Sequence, residues 1–140
     1  MARLTINEVA SGYTDVIELA PSDFTTAAGN TATIVKVPCK KGDVVEGAAL
    51  NITEAFTTNT NMRVGINGTE EAFIGNKATN TTTATPVADT GSALDDDGNA
   101  NANKHVFTAD GDVEISVAAT VGGDSTGKAT VLLKIRRTQF

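Results

Sequence analysis

The sequence predicts an all-β fold, a sandwich or barrel of about eight or nine antiparallel strands. Three observations predict it. The 140 residues include 22 Thr, 13 Gly and 11 Asn but no Trp; β-branched Thr favours strands, while Gly and Asn favour tight turns. Apolar residues recur at every second position over much of the chain, the period of a half-buried strand. Turn residues punctuate these runs at short intervals, and no fixed-period repeat is present, which removes solenoids and propellers.

The elements follow in order. Leu4 and Ile6 alternate with Arg3, Thr5 and Asn7. A second strand falls within 13–19, with Ile17 and Leu19 on one face. The stretch 21–28 offers at most one or two helical turns before Gly29-Asn30. Residues 31–37 are a dense β-branched run, expected to stop at Pro38 because proline cannot donate to a ladder. A polar turn at 40–43 leads to a strand from 48, where Leu50, Ile52 and Phe56 share a face. Asn67-Gly68 is a hairpin signal between strands at 62–67 and 71–75. Residues 76–103 read as a long Thr-, Asn- and Asp-rich loop or arm with room for one short strand near 81–87. Short strand 105–108 precedes the clearest alternation, Val113, Ile115, Val117 and Ala119. A final strand carries Val131, Leu133 and Ile135, and 112–120 with 128–137 are expected to form a second hairpin.

The length suits one domain, 1–140, able to bury about 68–70% of its unfolded surface without a disulfide or metal. The lone cysteine, Cys39, excludes an internal disulfide and a multi-cysteine zinc site, and after Pro38 reads as a packed small hydrophobe. A net charge of −6 argues against nucleic acid and anionic membranes as partners. No apolar run approaches the ~20 residues that span a bilayer. Arg3, Glu8, Asp15 and Glu18 interrupt any signal-peptide core, so the expectation is a product made and kept in the cytoplasm unless carried out in a particle.

Candidate chemistry is sparse. His105, the single histidine, is the residue on which a Ser-His-Asp triad or a histidine metal site would have to be built, and it reads as an exposed strand-end residue. Asp95-Asp96-Asp97-Gly98 resembles a calcium loop, but an EF-hand register puts Ala93 and Lys104 where carboxylates belong. A nonstandard calcium site built on Asp95 and Asp97, with Asp110 and Asp112, stays open; the plainer reading is a solvated acidic loop. The pairs Asp110/Asp112 and Asp112/Glu114 lie in a turn and on an outward strand face, and no Trp is available as a sugar platform, which weakens a glycosidase or lectin. Three N-glycosylation patterns, at Asn51, Asn67 and Asn80, follow from the abundance of Asn and Thr. Lys134, Arg136 and Arg137 form a small basic end suited to protein docking. No enzyme, cofactor or metal site emerges.

The order of segments carries a resemblance. A strand ending in Pro precedes Lys-Gly-Asp-Val-Val (41–45), Gly-Ala-Ala-Leu-Asn-Ile-Thr-Glu-Ala-Phe (47–56) and Met-Arg-Val-Gly-Ile-Asn-Gly-Thr-Glu-Glu-Ala-Phe-Ile (62–74). The chain closes on a strand rich in aliphatic residues and Lys/Arg at 127–137. Over 31–75, and loosely in the last strand, this resembles small structural proteins of tailed bacteriophages. The resemblance implies a jelly-roll-like β-sandwich on the virion, such as a capsid decoration or cement protein that staples subunits of the major capsid protein. It implies a homo-oligomer, dimer or trimer. Contacts would fall on the N-terminal strand (Leu4, Ile6), the loop 76–103 and the tail (Arg136, Arg137, Phe140). Phe140 either anchors in a partner or closes the domain's own core. The alternatives are a low-copy tail, neck or fibre-base component, or a calcium-dependent surface or glycan-binding module.

Overall fold

Alternation decides which side chains enter the core. In β8 (Gly111–Val117) the residues Val113, Ile115 and Val117 are fully buried, and in β9 (Lys128–Arg136) Ala129, Val131, Leu133 and Ile135 are buried between exposed or half-exposed neighbours. The computed structural model describes residues 12–24, 33–82, 87–88, 104–117 and 124–138. The other strands are β1 (Asp15–Leu19), β2 (Thr33–Cys39), β3 (Val44–Glu54), β4 (Asn61–Ile66), β5 (Thr69–Ala78), β6 (Val87–Ala88) and β7 (His105–Val106). A single 3₁₀ turn, Pro21–Asp23, follows β1.

The pairing is nested and antiparallel throughout: β1 with β9, β2 with β8, β3 with β6 and β7, β4 with β5. Two further ladders, β3 with β9 and β4 with β8, fold this long hairpin over itself. The result is one sheet ordered β1-β9-β3-β6, with β7 also on β3, facing a second ordered β2-β8-β4-β5. This connectivity is that of a jelly roll. The inward rows of both sheets form one cluster that includes Leu50, Ile52, Phe56, Val64, Phe73, Ile115 and Leu133.

Several expectations need correction. The strands at 112–120 and 128–137 do not form a hairpin: β8 pairs with β2 and β4, and β9 with β1 and β3. They lie in opposite sheets and their inward residues share one core, while Asp124, which follows β8 and precedes β9, is held by the Thr58 amide (2.8 Å) and hydroxyl (2.6 Å) in the β3–β4 connection. Strand β2 runs through Pro38 to Cys39; it is a sheet edge, where a missing N–H costs no ladder bond. The loop expected at 76–103 starts later, since β5 continues to Ala78 and Thr79 is fully buried, its hydroxyl donating to the Thr58 carbonyl at 2.6 Å. Of the stretch 81–87, where a short strand is expected, residues 83–86 lie outside the described ones; the strand observed, β6, begins only at Val87 and pairs with Ala49 and Leu50. The hairpin at Asn67-Gly68 joins β4 to β5 as the sequence predicts, with Gly68 at φ +84°.

Candidate functional site

One end of the sandwich concentrates polar side chains. The turn between β2 and β3 is organised by Asp43, whose carboxylate accepts the amides of Lys40 (2.9 Å) and Thr138 (3.2 Å) while the residue is 2% exposed. The Lys40 amide, aided by that of Thr138, holds the Asp43 carboxyl below its ordinary value. Gly42, at φ +95°, lets the chain turn, and a Cβ there would run into the Thr138 hydroxyl. The Asp43 carbonyl accepts from the Phe107 amide, and the Gly42 amide donates to the Phe107 carbonyl. The β7–β8 connection is thereby stitched to the turn.

Asp110 completes this stitching: its carboxylate accepts the Lys41 amide at 2.9 Å and lies 3.8 Å from the exposed Lys40 ammonium. Its role here is to anchor a turn. Among the described residues no group of three or more His, Cys, Asp or Glu stands close enough to hold a metal ion. Asp95 and Asp97, the other half of the calcium suggestion, lie outside the described residues, as do Leu4, Ile6 and Phe140.

The basic end is tied back to its own body. Arg137 clasps Asp15 with two bonds of 2.9 Å, and Arg136 Nε sits 3.2 Å from Glu46. Partly exposed pairs of this kind contribute about 0–1 kcal/mol each. Cys39 is buried, and burial first, offset in part by Arg137, pushes its thiol up to about 11, so the reactive thiolate is scarce near neutral pH.

His105 departs from its expected exposure. Its ring meets Phe107 edge-on at 5.0 Å and Phe73 at 5.7 Å, half-buried at the mouth of the core. Burial lowers its pKa and favours the neutral imidazole.

Beside it lies a groove of about 450 Å³ between the β7–β8 connection and the β2–β8–β4 sheet. It brings together His105, Asp110, Asp112 and Glu114 with Lys36 and Asn67. The sequence places Glu114 on a solvated outward face; in the fold it is only 7% exposed. Its cross-strand partners are Lys36 on β2 and Gly65 on β4, a register that only the folded sheet makes visible. The Gly65 signal alone, one glycine in a strand, points to close backbone approach without saying whose. A second groove, about 520 Å³, lies near the end of β1 among Glu18, Asp23, Thr53, Lys128 and Thr130.

The arrangement offers cation-accepting carboxylates beside an aromatic-flanked imidazole; among the described residues no hydroxyl or thiol is hydrogen-bonded to His105 for nucleophilic chemistry. No family model, curated protein or solved structure matches the chain.

Proposed function

We propose that this protein is a virion structural protein of a tailed bacteriophage: a capsid decoration, or cement, protein that binds the assembled shell in many copies and stabilises it. The observation that carries the reading is the run 31–75. The residues resembling phage structural proteins there are those that build β2 through β5, joined by the Lys40–Asp43 turn and the Asn67-Gly68 turn. A jelly-roll connectivity is what that resemblance leads one to expect, and the nested pairing agrees with it. The partner is the major capsid protein, and the chain acts as a dimer or trimer matched to local shell symmetry. Individual contacts need not be strong, because attachment at many points adds and anything that binds only the assembled state stabilises it.

Copy number tests the reading. Quantitative mass spectrometry of purified particles is expected to find this chain at about one per major shell subunit or a simple fraction of that. A handful of copies per particle would assign it instead to the tail, neck or fibre base. Absence from particles overturns the virion reading altogether and favours a surface or glycan-binding module working through Asp95 and Asp97.

A further inference from the structure

The outward face of β8 carries two buried polar side chains among the described residues, and one of them, Ser116, has a side-chain partner there. Ser116, 2% exposed, accepts Nε of Arg63 from the neighbouring strand at 3.2 Å. Glu114, two residues earlier on the same face, is 7% exposed, and among the described residues its carboxylate makes no hydrogen bond or ion pair. Lys36 stands opposite it in register but is exposed and forms no ion pair with it. On the other side is Gly65, where no side chain fits because the carbonyl oxygens of Thr69 and Glu70 occupy the space a Cβ would take. Glu114 is thus a nearly buried carboxylate that lines the groove, beside a glycine whose outward side is covered by backbone oxygens.

A buried charge without a counter-charge is costly, and supplying one recovers that cost. The groove holds further acceptors: Asp112, half-buried on the same face of β8, and Asn67 at the hairpin turn. Alternate residues on a strand are about 7 Å apart. That spacing suits an ion whose donors spread outward in a plane better than a compact ammonium. The half-buried His105 ring, backed by Phe107, offers a surface at the rim for a flat cation.

We infer that this groove is a receptor for a guanidinium group, an arginine side chain presented by a partner protein, with Glu114 as its counter-ion and Asp112 as a second acceptor. That the partner is the major capsid protein rests on the function proposed above; the guanidinium site does not.

The test uses the full chain, isotopically labelled, titrated with N-acetyl-arginine amide and separately with N-acetyl-lysine amide. The expected result is saturable movement of the backbone amide signals of residues 36, 65–67 and 112–114, with the lysine probe at least fivefold weaker. In Glu114→Gln, which keeps the shape and removes the charge, arginine binding is expected to fall at least tenfold; in Asp112→Asn it falls less. Should Glu114→Gln fail to fold, Asp112→Asn and the residue map in the native chain still decide. Signals that never saturate, movement confined to other surfaces, equal binding of both probes, or undiminished binding by the variants would each overturn the site. None of these results alters the particle copy number, so the site and the virion reading fail independently.

Discussion

His105 shows what a single side chain contributes here. Wedged between Phe73 and Phe107, it is held neutral by burial, its pKa lowered from 6.5. Below pH 6.5 the unfolded chain therefore takes up a proton more readily than the folded one. Stability falls as the pH drops through that value, and the loss is complete once the folded imidazole is also protonated. Thermal melts from pH 7 to pH 5 should show the decline, and His105→Phe, which keeps a ring between the two phenylalanines but takes no proton, should flatten it. Parallel declines in both proteins would assign the effect elsewhere. Asp43 acts with the opposite charge and in a lower window. Its carboxyl is held below the ordinary value of 3.8, so its contribution is present above that value and disappears as the pH falls through the folded one.

Among elements, the β4–β5 hairpin is sensitive at one glycine. Its turn was legible because Asn67-Gly68 carries its own geometry, and Gly68 has open space around it. Gly65, in the strand, was not legible as special, since what forbids a side chain is the backbone of Thr69 and Glu70 brought over it by an irregular register. Gly65→Ala should destabilise by about 1–3 kcal/mol or more, the range for an overpacked site, measurable by urea unfolding. Gly68→Ala pays only for its left-handed conformation, so it should cost less. The inward rows of β3, β8 and β9 were readable for a similar reason: period two is a local property. The partner of a strand is not local. Val113 to Val117 and Val131 to Ile135 alternate alike whether they lie side by side or face each other across a core, and the alternation of Glu114 with its neighbours says nothing of Lys36 and Gly65 flanking it. That is why the fold class came through, while the second hairpin did not and the groove stayed hidden.

At the scale of the molecule, β9 is the closing piece. It lies between β1 and β3 and carries four core residues, so the sheet cannot be completed until the last strand arrives. Leu133→Ala should cost about 2–5 kcal/mol, as large-to-small changes at fully buried sites do. The loss should appear as cooperative unfolding of both sheets, because Leu133 belongs to the single cluster they share. Separate transitions for the two sheets in denaturant would contradict that.

The ladder between β1 and β9 has a mechanical consequence. Residue Asp15 stands opposite Leu133, and Asp15 also grips Arg137, so β1 begins and β9 ends at the same corner of the sandwich. Tension applied at the start of β1 and the end of β9 would peel the two strands apart, breaking their bonds one after another as a zipper opens. Tension across the faces of the sheets would instead load whole ladders at once. A sandwich built this way resists force best when its neighbours hold it by its faces and loops, where whole ladders share the load.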